Sequence, residues 1–184
     1  MSHLANVSRI VIFDTAIEKI YGPYVPIANL TDITVLDNHY LREFVMYEDK
    51  VGSLMADGVG RVQLPNLRHA ETIDIYGCPT IELPVLEEVT GDFSLLGDNV
   101  PSDHIDGTGL HSVGGSLTIT EFDQGLTDVP FPNLAVVNGS ISVTENAEMR
   151  NIRNLTRLQS VGTYLRLYGS FERSVVYQSY SAPN

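Results

Sequence analysis

One cysteine, no tryptophan and few cations mark this chain by what it lacks. A single thiol, Cys78, has no partner for an internal disulfide, so neither a disulfide-stapled scaffold nor a zinc–cysteine cluster is available. No apolar run approaches the ~18 residues of a membrane-spanning helix. Lys and Arg number 11 against 23 Asp and Glu, a formal net charge of −12. That balance argues against nucleic acid, because phosphate binding needs a basic patch, and against anionic membrane surfaces. The opening MSHLANVSRIVIFD has no basic segment followed by a long apolar one, and the last residues form no apolar tail. Neither a secretory leader nor a membrane anchor is therefore expected within these residues. No segment sustains a helical period either.

What is present is repetition. Residues 92–163 divide into three units of equal length, DFSLLGDNVPSDHIDGTGLHSVGG, SLTITEFDQGLTDVPFPNLAVVNG and SISVTENAEMRNIRNLTRLQSVGT. Laid over one another, Phe93, Leu117 and Ile141 coincide, as do Leu95, Ile119 and Val143, and then Leu110, Leu134 and Leu158. Carried in both directions, the apolar-x-apolar pair gives Ile10/Ile12, Ile33/Val35, Leu54/Ala56, Ile73/Ile75, Phe93/Leu95, Leu117/Ile119, Ile141/Val143 and Leu165/Leu167. The step between first members shortens toward the middle of the chain and is constant from Phe93 onward. A fixed period of this size is the mark of a solenoid. Period-two alternation, as in SLTIT and SISVT, reads as a short strand with one buried face.

The expected fold is therefore all-β: a parallel β-solenoid, right-handed by the crossover rule, of about eight coils of 19–24 residues. It forms a single repeat domain over 1–184, with coils at 9–177 and a polar tail at 178–184. The L-x-x-V groups Leu86/Val89, Leu110/Val113, Leu134/Val137 and Leu158/Val161 close the coils, and Gly91, Gly115 and Gly139 supply the turns into the next strand. Pro65, Pro84 and Pro132 place an extended, partly unpaired side before them. Residues 40–51 read as one more coil. Unpaired strand edges are expected at both ends, and with them end-to-end self-association.

ITVLDNHYL and ISVTENAEM give one half of the repeat, and LPNLRHA, LPVLEEVTG and FPNLAVVNG the other. Together they resemble the receptor L-domain, a leucine-rich-repeat relative, and most of all the GPI-anchored cell-wall proteins of fungi built from it. The resemblance covers residues 9–177. It implies a non-enzymatic structural or recognition module on a cell surface or in a cell wall, a glycoprotein whose partner is a protein or a cell-wall glycan. Four N-x-S/T sequons, at Asn6, Asn29, Asn138 and Asn154, agree with a secretory origin.

Little in the chain suggests catalysis. Asn38 and Asn146 hold the slot after the strand, where a side-chain amide bonds the turn, and Cys78 falls in the same column as a buried structural thiol. Thr15, Asp98, Phe122 and Ser170 fill that column elsewhere. Asp103-His104-Ile105-Asp106 with His111 is the one local group of metal-type ligands. It matches neither a calcium loop nor a zinc helix and reads as a solvated loop, so no metal or cofactor is expected. His3, His39 and His69 read as isolated. Some parallel β-helices are carbohydrate-active enzymes, the main alternative here; a cytoplasmic protein-binding repeat is another. Such enzymes need clustered carboxylates on an exposed sheet face, and the sequence offers only Asp74 and Asp57, with Arg166 far along the stack.

The residues flanking each inward pair point outward. Taken up the stack they form a candidate binding face: Phe13, Leu36, Asp74, Tyr76, Leu96, Thr118, Thr120, Ser142, Thr144, Arg166 and Tyr168. Tyr76 and Tyr168 suit stacking on sugar rings or insertion into a protein pocket.

Overall fold

The computed structural model describes residues 7–169, apart from Asn99 and Asp103, and the backbone of 175–178. Asn6, Asp103, Ser170 and the tail beyond Gln178 thus lie outside the described residues. The chain winds as a parallel β-solenoid. Among the described residues its front sheet has eight rungs: Arg9–Phe13, Asp32–Leu36, Lys50–Asp57, His69–Tyr76, Phe93–Leu96, Leu117–Thr120, Ile141–Asn146 and Tyr164–Gly169. Eight rungs are linked by seven turns of chain. Every neighbouring pair is parallel, and the register follows the sequence period: Ile10 faces Ile33, Leu54 faces Ile73, Phe93 faces Leu117, and Ile141 faces Leu165. Side chains alternate along each rung, so one set fills the interior. Ile33, Leu54, Ile73, Leu117, Ile119 and Ile141 are fully enclosed. Truncating Ile119 to Ala should therefore cost about 2–5 kcal/mol.

Behind the front sheet lies a second parallel sheet of five three-residue strands: Lys19–Tyr21, Glu43–Val45, Arg61–Gln63, Thr80–Glu82 and His104–Asp106. Each contributes its central residue to the interior, with Phe44, Val62 and Ile81 buried. Residues 40–51 form a coil as expected. His104–Asp106 does not lie in a solvated loop. It pairs with Thr80–Glu82, because Ile105 sits over Ile81 and continues the apolar column. Pro65 and Pro84 stand where the chain leaves the back sheet, and Pro132, in a coil without a back strand, also lies outside any strand, as their missing N–H requires. Neither of the last two coils has a back strand among the described residues, and the last carries a 3-10 turn, Arg153–Arg157, which buries Leu155. Among the described residues no helix is long and apolar enough to cross a membrane.

The two corners of each coil use different chemistry. Where the front strand ends, a residue takes a left-handed conformation: Asp14, Asp37, Gly58, Gly77, Asp98, Glu121, Glu145 and Gly169 all have positive φ. Where it begins, Gly91, Gly115 and Gly139 stack directly. Gly115 N donates to Gly91 O and Gly139 N to Gly115 O, both at 2.8 Å. A Cβ on Gly139 would meet Gly115 O at 2.7 Å. These glycines have no positive φ, so close backbone approach explains them rather than turn conformation.

Asn38 and Asn146 occupy the buried slot after the strand, and each reaches across to the preceding coil. Asn38 Nδ2 donates to Ile12 O at 2.9 Å, and its Oδ1 accepts Thr15 N at 3.0 Å. Asp98, by contrast, is exposed. Cys78 lies buried with Sγ 3.1 Å from Tyr76 O, and burial pushes its thiol up to about 12, so it stays protonated and inert.

The ends differ from the expectation of two open edges. Val175–Gln178 folds back antiparallel on Tyr164–Gly169, placing Tyr177 opposite Leu165 and Val175 opposite Leu167. The edge of the last rung is therefore occupied. Among the described residues, nothing pairs with the outer edge of Arg9–Phe13.

Candidate binding face

Two outward columns run the length of the front sheet. One passes from Val11 through Thr34, Met55, Asp74, Ser94, Thr118 and Ser142 to Arg166. In the other, Phe13 faces Leu36, Asp57 faces Tyr76, and Tyr76, Leu96, Thr120, Thr144 and Tyr168 follow in register. All eleven residues expected on the face stand in these columns, and none is buried. Phe13 and Tyr168, at the two ends, are 58% and 54% exposed. Arg166 is exposed as well, and the others are half-buried by the rungs above and below.

The face has three regions. Thr118, Thr120, Ser142 and Thr144 form a hydroxyl quartet, in which Thr120 Oγ1 and Thr144 Oγ1 share a hydrogen bond at 3.0 Å. Below it, Leu36, Met55, Tyr76 and Leu96 form a mixed apolar and aromatic patch beside Asp57 and Asp74. Burial, then the nearby carboxylates of Asp37 and Asp98, raises the Asp57 carboxyl above the usual range. Burial, then Asp74 and Asp57, raises the Tyr76 hydroxyl. Tyr76 therefore remains a neutral donor, and its hydroxyl bonds nothing among the described residues. Arg166 brings positive charge only at the last rung.

Carboxylates are more common on exposed strands than the sequence suggested, but on the other sides of the coil. Lys19 and Tyr21 both bond Glu43. Arg61 and Gln63 bond Glu82, and Arg68 bonds Glu87. Each partner lies one coil step away along the chain; the Lys19–Glu43 and Arg61–Glu82 pairs neutralise charge on the back sheet, and Arg68–Glu87 does so beside the rung that begins at His69. His69 is not isolated: it stands in a rung beside Glu88, with Nδ1 3.9 Å from Oε2. Arg68, His69, Glu87, Glu88, His111 and Ser112 line an open groove of about 550 Å³ that sequence reasoning missed. The equal spacing of Arg68 to Glu87 and of His69 to Glu88, and the L-x-x-V groups that hold Glu87, Glu88, His111 and Ser112, were its available signals. Among the described residues, no group of three or more His, Cys, Asp or Glu side chains is placed to hold a metal ion.

The sequons also differ from one another. Asn29 and Asn138 are exposed, whereas Asn154 Nδ2 donates to Val129 O at 2.9 Å. No family model matches the chain, and no solved structure matches it.

Proposed function

We propose that this chain is a non-enzymatic recognition module of a cell surface or cell wall, which binds a partner through its front sheet. The observation that carries this reading is the patch of Leu36, Met55, Tyr76 and Leu96, outward on a flat sheet with Asp57 and Asp74 among them. A patch of apolar and aromatic side chains on a rigid sheet suits a contact surface more than solvent. Its electrostatics narrow the partner. The outward columns of the central rungs carry carboxylates and no cation, on a chain of net charge −12, which disfavours acidic polysaccharides. A neutral cell-wall glycan fits best: its rings stack on Tyr76 and Leu96, and its hydroxyls meet Asp57, Asp74 and the hydroxyl quartet. The second class is a neutral or basic protein segment. The receptor-L-domain resemblance and the exposed Asn138 sequon favour a surface location.

The test is the paired variant Tyr76→Ser with Leu96→Ser, assayed against insoluble neutral cell-wall polysaccharide and against proteins that co-purify. Retention on the polysaccharide should weaken tenfold or more, as for an interface aromatic, with the thermal midpoint little changed. Unchanged binding removes the face from consideration. A collapse in stability would show instead that these side chains belong to the packing.

A further inference from the structure

Among the described residues the two ends of the stack are unequal, and the first coil is the open one. Ile10 and Ile12 are only half-buried, whereas Ile33 and Val35 on the next rung are fully enclosed. The large apolar and aromatic side chains exposed among the described residues lie between 11 and 40, apart from Tyr164 and Tyr168. Val11 is 60% exposed, and Phe13, Ile17 and Tyr21 of the same coil are also uncovered. A strand edge with free N–H and C=O groups beside an open apolar interior is a template for another strand.

We propose that two copies of this chain pair head to head through that edge. Arg9–Phe13 of one copy runs antiparallel to Arg9–Phe13 of the other, with Val11 on the two-fold axis. The strand RIVIF is self-complementary in this register. The inward Ile10 meets Ile12 of the second copy, so the two interiors join. On the outer side Val11 meets Val11, and Arg9, whose guanidinium is held by Asp32 Oδ2 at 3.2 Å on the next rung, lies opposite Phe13. The back strand Lys19–Tyr21 repeats the pattern: paired antiparallel about Ile20, Lys19 faces Tyr21. No like charges oppose each other.

Charge favours this end over the other. The first coil balances Arg9 and Lys19 against Asp14 and Glu18 within a chain of net charge −12. The last coil carries Arg150, Arg153, Arg157 and Arg166, all exposed and none in an ion pair among the described residues, against the two acids Glu145 and Glu148. Tail-to-tail contact would set these arginines against one another, and the edge of the last rung is already filled by Val175–Gln178. A two-fold contact closes on itself, so the product is a dimer and not a filament.

The experiment is sedimentation equilibrium over a wide concentration range, with two variants at the axis. The unmodified chain should reach twice its 20.3 kDa mass and stop there. Val11→Lys places two ammonium groups on the axis and should weaken association at least tenfold, with an unchanged circular dichroism spectrum. Val11→Cys should cross-link under mild oxidation, because directly opposed antiparallel residues lie within disulfide reach. Cys78, the one native cysteine, is buried and does not compete. Tyr168→Cys, at the other end, should not cross-link. A monomer at every concentration, assemblies beyond the dimer, an unaffected Val11→Lys dimer or an inert Val11→Cys would each overturn the proposal. Should Val11→Lys not fold, the cross-linking pair still decides.

Discussion

Asn146 Oδ1 accepts the backbone N–H of Phe122 at 3.1 Å, one full coil earlier in the chain. Its Nδ2 donates to Ile119 O at 3.0 Å. One buried side chain thus satisfies a donor and an acceptor of the coil before it, where the backbone turns too sharply to pair with itself.

Asn146→Ala should leave both groups buried without partners, at about 1–3 kcal/mol for each. Asn146→Asp keeps an acceptor for Phe122 and loses the donor to Ile119. Urea midpoints should fall in the order wild type, then Asp and Ala. An alanine variant as stable as wild type would mean the turn does not depend on this residue.

Gly139→Ala forces a methyl group to within 2.7 Å of the Gly115 carbonyl oxygen, and neither backbone can withdraw without breaking the 2.8 Å bond between them. The expected loss is about 1–3 kcal/mol, as for an overpacked core. Thermal unfolding of the variant measures it.

Glu48 is a buried carboxylate, 1% exposed, whose oxygens accept Ile27 N at 3.0 and 3.2 Å. Burial raises its pKa, Asp49 adds to the rise, and the bond from Ile27 opposes it. A raised folded pKa contributes stability that is complete below the unfolded value and lost as pH rises through the folded one. Glu48→Gln removes that titration and keeps an acceptor for Ile27. Measured by urea unfolding, the stability of the variant relative to wild type should therefore increase with pH from about 4 upward, then level off. A difference that is flat with pH would refute the assignment.

Cys78 should resist thiol reagents in the folded protein and label at the rate of global unfolding, because its thiol is both buried and held protonated. Rapid labelling under native conditions would place it at a locally opening turn.

The front sheet was legible in the sequence and the back sheet was not, for a physical reason. Ile10, Ile33 and Leu54 recur with a partner two residues on, and the long alternating rungs make that pattern visible. KIY, EFV and HID are three residues each, too short for alternation to rise above chance, and only the register of the coils reveals them as strands. The same register decides the charges. Arg61 and Glu82 look unrelated along the chain and become neighbours only once the intervening loop has its true length. Likewise the outward columns followed from period two alone, while the groove at His69 and His111 lies along the short strands Glu88–Val89 and Ser112–Val113, whose L-x-x-V groups repeat in the sequence but whose pairing beside His69 only the fold reveals.

The front sheet is also a measuring scale. Every rung presents two outward side chains, and parallel strands advance by ~4.8 Å, whatever the length of the loop behind them. The shortest coil, between Leu54 and Ile73, and the three equally long ones from Phe93 to Leu165 therefore contribute identical steps to this face. A polymer laid along the stack gains from successive rungs only if its own repeat is commensurate with that step. Selectivity would then reside in the spacing of the partner's repeats as much as in the chemistry of any one of them.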